Sequence, residues 1–247
     1  MKIIISPAKK MRTDIDSLSW QTLPEFLPQT ELLASLLSAM SYDELKKLWK
    51  CNDSIAQLNY DRLQDMDLRR NLTPAILAYE GIQYQYMAPS VFTNDEFNYV
   101  SRHLCILSAF YGMLRPFDGV VPYRLEMQAK LEAEGAKDLY EFWGEAVTKS
   151  ICRETDCIIN LASKEYSTAV SPHLPSTVRF ITCVFGEDAN GKVIEKGTMC
   201  KMARGEMVRY MAENAITDLE DVKRFDRLSY RFDESRSNDQ RYVFVRD

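Results

Sequence analysis

The chain has 247 residues, 46% of them hydrophobic, and 31 Lys and Arg against 36 Asp and Glu give a formal net charge of -5. This length suits one large α/β domain or two small ones, and the composition is that of an ordered soluble globule. A uniformly positive coat is excluded, but a local basic groove is not, because nucleic-acid binding depends on where the charges sit.

Lys2 to Ser6 is a short apolar run that reads as a buried strand. It ends at Ser6-Pro7, and Lys9, Lys10 and Arg12 follow with no acid among them. From Glu31 to Arg70 the pattern is helical: Leu32, Leu33, Leu36 and Leu37 recur at helical spacing, and Ser41 with Glu44 forms a capping box. Thr73 to Gly81 reads as a strand between Pro74 and Gly81. Asp95 to Arg102 reads as a helix capped by Asn94.

The densest stretch is Leu104 to Met127, LCILSAFYGMLRPFDGVVPYRLEM. It begins as a strand that discharges into Ser108 and the breaker Gly112. Arg115-Pro116 and Asp118-Gly119 punctuate a loop, and Pro122 opens PYRLEM. Taken as a strand, PYRLEM places Arg124 and Glu126 on one face, with Tyr123, Leu125 and Met127 on the other. A helix with Pro122 in its first turn is the competing reading. Two arginines and two carboxylates among Gly and Pro punctuation read as a site-bearing loop, or as an ion-pair cluster that positions it.

Lys137 to Glu154 reads as one helix, with Leu139, Trp143, Val147 and Ile151 along one face. Gly144 inside it would cost on the order of 1 kcal/mol relative to Ala, which implies close packing there. Cys157 to Ala162 is another buried strand, ending in Ser163 before Glu165 and Tyr166. Three apolar strands thus end in Ser6, Ser108 and Ser163, and these serines face one cleft if the strands are neighbours in an open α/β sheet. Helix capping is the alternative role for each. Thr177 to Phe185 and the segment after Asn190-Gly191 read as a hairpin. Thr198 to Asn214 is an amphipathic helix with Lys201 and Arg204 sharing a flank. Glu206 falls inside its apolar arc and is expected to be paired or at an edge. The chain ends in a strand-like YVFV.

The six cysteines, Cys51, Cys105, Cys152, Cys157, Cys183 and Cys200, contain no C-x-x-C pair. They fit buried free thiols in a reducing cytosol. With only His103 and His173 besides, no Cys/His metal centre and no cofactor is expected. No apolar run is long enough for a signal peptide or membrane span, so a cytoplasmic protein without a membrane partner is expected. The absence of linkers and repeats favours a single domain over residues 1–247. Its expected architecture is α/β, a mixed sheet flanked by helices, with a basic cleft at the strand ends.

Six ordered segments carry a resemblance: ISPAK (5–9), YGMLRPFD (111–118), PYRLEM (122–127), LYEFWG (139–144), INLASKEY (159–166) and KMARG (201–205). In order and spacing they resemble the YaaA family of peroxide-stress response proteins. Glu206 departs from the family pattern, where an apolar residue is usual. The resemblance implies resistance to hydrogen peroxide and a lowered pool of unincorporated iron. It also implies DNA binding through a positively charged cleft and a helix-hairpin-helix-like element, although Tyr111 to Arg115 lacks the glycine pattern of such an element.

Within that frame, a nucleic-acid or anion site is expected at Ser6, Lys9, Lys10, Ser108, Arg115, Arg124, Asn160, Ser163, Lys201 and Arg204. Tyr111, Tyr123 and Trp143 are candidates for stacking on bases where they are exposed. DNA is the expected partner, duplex or single-stranded, and the chain is taken as a monomer. The main rival is an enzyme acting on a nucleotide, nucleobase or other phosphate-bearing substrate. In that reading arginines hold the anion while Asp118, Glu126 or Glu165 moves a proton. Direct iron chelation is disfavoured because cations stand beside these carboxylates. A Ser-His-Asp hydrolase is disfavoured because no G-x-S-x-G elbow occurs.

Overall fold

In the computed structural model, which describes residues 1–246, Lys2–Ile5 is an interior strand of an eight-stranded mixed sheet, with a parallel neighbour on each side, and is buried along its whole length. The strands are β1 (Lys2–Ile5), β2 (Leu104–Ser108), β3 (Gly112–Leu114), β4 (Cys157–Leu161), β5 (Arg179–Ala189), β6 (Lys192–Ile194), β7 (Tyr230–Phe232) and β8 (Arg241–Arg246). Their order is β7-β8-β5-β4-β1-β2-β3, and β6 pairs with β5. The inner pairs are parallel, whereas β3, β6 and β7 add antiparallel neighbours. Parallel strands covered on both faces read as continuous apolar runs, which is how KIII, LCIL and IINL read.

From β1 the chain crosses to β2 on one side and later returns to β4 on the other. It then continues outward through β5 to β8. The order therefore reverses between β1 and β4, and open α/β sheets hold ligands outside the carboxyl ends of strands at such a point.

The helical region before β2 consists of Leu27–Ser38, Tyr42–Trp49 and Asp53–Gln64, and the Ser41–Glu44 capping box is present. Gly197–Glu213 packs across Ile82–Met87 and also meets Asn94–His103, which lies against β1 and β2. Gly205 makes the first crossing feasible. A Cβ there would stand 2.0 Å from the Gln83 carbonyl oxygen. One hydrophobic cluster runs through the sheet and both helical layers, from Ile3 to Phe244.

Four local expectations are corrected. Thr73–Pro74 and Tyr79–Glu80 are two-residue strands separated by one helical turn, Ala75–Ala78, so no continuous strand exists there. The Asn94–His103 helix is capped by Thr93, with Glu96 closing the box, which leaves Asn94 as its first helical residue. Lys137 to Glu154 is two helices, Leu139–Trp143 and Ala146–Cys152, broken where Gly144 takes a φ of 44°. Only the glycine's own helix presses on that position, the Glu141 carbonyl at 3.5 Å, so backbone conformation and not close packing requires glycine.

PYRLEM is neither strand nor helix. Burial alternates along it as an extended chain requires, with Tyr123, Leu125 and Met127 inside and Arg124 and Glu126 less buried. No neighbouring strand pairs with it, because it crosses the carboxyl ends of the sheet instead of joining it. Other expectations hold. Asn190 and Gly191, both at positive φ, turn β5 into β6. Glu206 is paired with Arg227 at 2.9 Å.

Candidate functional site

Outside the carboxyl ends of β1 and β4 lies a cavity of about 400 Å³. Its floor is set by the two serines that end those strands. Ser163 donates its backbone N–H to the Ser6 Oγ at 2.8 Å, and the two hydroxyls are 3.1 Å apart. Tyr84 donates its hydroxyl to the Ser6 carbonyl at 3.0 Å, which anchors the Ile82–Met87 helix over the strand end.

Three segments carry the charged walls. Lys9 and Lys10 follow β1, Arg124 and Glu126 stand on the less buried side of PYRLEM, and Lys201 and Arg204 project from the Gly197–Glu213 helix. Five cations thus meet three carboxylates, Glu80, Glu126 and Glu165, in a chain whose net charge is -5. Glu126 lies between two of the cations, accepting from Lys9 Nζ at 2.5 Å and from Arg124 Nη2 at 2.8 Å. Lys10 reaches Glu80 at 3.0 Å, and Arg204 stands 3.8 Å from Glu195.

Three side chains lining the cavity retain a buried nitrogen with no hydrogen-bond partner: Gln83 Nε2, Arg124 Nε and Arg204 Nε. An unpaired buried donor costs about 1–3 kcal/mol, and more on a charged group, so such atoms call for an explanation. Burial also acts on the hydroxyls beneath. The Tyr123 phenol is bonded to Ser108 Oγ at 2.7 Å and to the Tyr79 hydroxyl at 2.9 Å, and desolvation pushes its pKa up to about 12. It stays neutral and acts as a hydrogen-bonding group.

The structure therefore brings Ser6, Lys9, Lys10, Tyr123, Arg124, Glu126, Ser163, Glu165, Lys201 and Arg204 together and leaves the other candidates elsewhere. Ser108 is fully buried and closes the turn after β2 by accepting from the N–H groups of Phe110 and Tyr111. Arg115 follows the antiparallel β3, which carries it back toward the amino ends of the parallel strands. There it pairs with Glu154 at 2.8 Å beside Lys2. Asp118 is buried, accepting from Thr22 at 2.5 Å and from the Arg115 N–H at 2.8 Å. Burial raises its pKa to about 6. Asn160 accepts from the Ala162 N–H and donates to Thr182 on β5, tying adjacent strands together.

The stacking expectation is corrected for all three aromatics, Tyr123 being buried with its ring stacked on Phe110 at 4.8 Å. Tyr111 and Trp143 are 1% and 2% exposed, and their polar atoms are bonded to Val121 and Ala109, so neither has a face open to a base. No helix-hairpin-helix occurs at Tyr111 to Arg115, since β3 occupies that segment. Among the described residues no group of three or more His, Cys, Asp or Glu is placed to hold a metal ion, and no helix is long and apolar enough to cross a membrane.

Sequence reasoning missed Glu80, Gln83 and Tyr84. They stand around the Glu80-Gly81 breaker and on a six-residue helix too short to show a period. The one available signal was Gly81 itself, where a Cβ would sit 3.0 Å from the Ala8 side chain.

Comparison with known proteins places these features in a family. The model of the family described as peroxide stress protein YaaA matches residues 1–236. A UPF0246 protein of Lachnoclostridium phytofermentans is 54% identical over 246 residues, covering 100% of this chain and 96% of the relative. Another, of Agathobacter rectalis, is 55% identical over 246 residues, covering 100% and 99%. A third, of Desulfitobacterium hafniense, is 54% identical, covering 100% and 98%. With the whole chain aligned at these identities, it belongs to the peroxide stress protein YaaA family.

Proposed function

We propose that this peroxide-stress family member binds DNA through the cleft at the carboxyl ends of β1 and β4, and that it thereby limits iron-dependent oxidative damage. The observation that carries the reading is the convergence of Lys9, Lys10, Arg124, Lys201 and Arg204 from three distant segments on one cavity of an otherwise acidic protein. Cations gathered in this way bind phosphates by releasing counterions, largely without sequence preference.

Fluorescence anisotropy with duplex, single-stranded and mismatched DNA across a salt series tests it. Wild type should bind with a steep salt dependence. Arg124→Ala and Lys9→Ala should each weaken binding and reduce the log-log slope on duplex by about 0.9 per lost phosphate contact. Absence of binding at low salt would remove the DNA reading.

A second reading, an enzyme acting on a nucleotide or nucleobase, is favoured by one observation. Glu126 is held between Lys9 and Arg124 at the cavity wall, as a carboxylate moving a proton beside a bound anion would be. In that case Glu126→Gln abolishes turnover of such a substrate with little loss of affinity.

A further inference from the structure

The shape of the cleft says more than its charge. A duplex lying across a basic surface needs cations spread along a groove and fully wetted. Here two of the five cations are largely withdrawn, with the Arg124 side chain 10% exposed and that of Arg204 15% exposed. They stand at a cavity of about 400 Å³, near the lower end of the size range of small-molecule and cofactor sites.

The lining is also not that of a bare phosphate site. Ile82, Leu125 and Ala8 contribute apolar wall, and the rings of Tyr84, Tyr123 and Tyr166 border the same space. Carboxylates at Glu80, Glu126 and Glu165 would repel a simple anion but accept hydrogen bonds from the N–H groups of a heterocycle. Cations, apolar and aromatic wall and carboxylate acceptors together match a ligand that carries both a phosphate and a base. The location repeats the argument, because the switch point of a parallel sheet is where nucleotides bind in open α/β folds.

From these observations we infer that the cavity is a pocket for a single nucleotide unit, a base with its ribose or deoxyribose and one phosphate. The guanidinium groups of Arg124 and Arg204 and the exposed ammonium groups of Lys9, Lys10 and Lys201 are the donors for its phosphate. The unit is either a free nucleoside monophosphate or one nucleotide turned out of a strand. The inference rests on the reading of the cleft as a nucleic-acid site and deepens it. Duplex DNA contributes backbone contacts outside, while one nucleotide enters.

The test is competition on the wild-type protein, together with direct titration calorimetry. The probes are the common ribo- and deoxyribonucleoside 5′-monophosphates, the matching nucleosides, inorganic phosphate, and a fluorescein-labelled single-stranded oligonucleotide. The expected result is that at least one monophosphate binds at least about tenfold more tightly than either its nucleoside or phosphate, since each of those lacks half of the contacts. That monophosphate should displace the oligonucleotide. Lys201→Ala removes an exposed cation with no carboxylate partner among the described residues, so it is expected to fold normally. It should weaken monophosphate binding severalfold.

A monophosphate that binds but leaves the oligonucleotide in place would restrict the pocket to free nucleotides and overturn its assignment to a strand. Oligonucleotide binding without monophosphate binding would overturn the pocket and leave the cleft as a backbone-binding surface. If neither binds, both the pocket and the DNA reading fall.

Discussion

Gly205→Ala tests the packing that holds the cleft together, and two physical effects predict opposite signs for it. Gly205 lies within a seventeen-residue helix, where replacing Gly by Ala ordinarily stabilises by about 1 kcal/mol. At this position, however, the new Cβ would stand 2.0 Å from the Gln83 carbonyl oxygen and 2.9 Å from the Met87 nitrogen. Both are backbone atoms, so no side-chain rotation relieves the clash. Restoring an ordinary 3.4 Å contact from 2.0 Å requires the two helices to part by about 1.4 Å. Overpacking of this kind costs typically about 1–3 kcal/mol, and a rigid backbone contact belongs at the upper end or above. The net expectation is a loss of about 2 kcal/mol or more, equivalent to several degrees in Tm for a chain of this size. Gly197, in the same helix with nothing within 4 Å of its would-be Cβ, is the control and should accept Ala without loss. Urea unfolding of the two variants, with m compared to wild type, measures the difference. A Gly205→Ala protein as stable as wild type or more so would refute the crossing geometry. Because Gln83 and Arg204 adjoin the contact and line the cavity, the same variant should also bind DNA more weakly under folded conditions.

Asp118→Asn should alter the dependence of stability on pH. Burial raises the Asp118 pKa from its ordinary 3.8 to about 6, so the folded chain binds a proton more readily than the unfolded chain between those values. Wild type therefore loses stability from this group as pH rises from about 4 to about 6, by up to about 3 kcal/mol in total. Asparagine can accept from the Arg115 N–H and donate to Thr22, so the variant should match wild type near pH 4 and exceed it at pH 7. Chemical denaturation at both pH values reads this, and parallel profiles would refute it. Glu126→Gln should remove the negative charge that Lys9 and Arg124 share and tighten DNA binding, with the salt slope little changed because both cations already contact phosphate in the wild type. Unchanged affinity in the anisotropy assay would mean that Glu126 does not face the bound phosphates.

How much was legible in the sequence depended on how local the determining physics was. The apolar runs at β1, β2 and β4 announced strands because a doubly covered parallel strand has little choice of composition. The serines ending them announced a common edge, and for Ser6 and Ser163 that edge is the cavity floor. Ser108 carried the same signal but closes a turn beneath the surface, a difference set by the tyrosine hydroxyl above it. Arg115 and Asp118 misled because their charge and loop punctuation resemble those of Arg124 and Glu126. Only the reversal of direction at β3 sends the first pair to the other end of the sheet. Trp143 illustrates the reverse difficulty. Its aromatic character fits stacking, but its indole N–H is engaged by Ala109, and its ring fills the space that a glycine at position 112 leaves open. Gln83 and Tyr84 left no trace, since a single helical turn has no periodicity to read.

The interior position of β1 also bears on how the chain reaches this state. β1 lies early in the chain, at Lys2–Ile5, yet its partners are β2, beginning at Leu104, and β4, beginning at Cys157. The Ser6–Ser163 contact that closes the site spans 157 residues of chain. During vectorial synthesis KIII precedes both partners, so one edge stays unpaired until Ser108 has been made and the other until Leu161, a long interval for an apolar, β-prone segment. Its flanking cations, Lys2 before it and Lys9 and Lys10 after it, supply the charge that discourages such a segment from pairing with other nascent chains. The lysines that later face the cleft thus guard the strand on its way there.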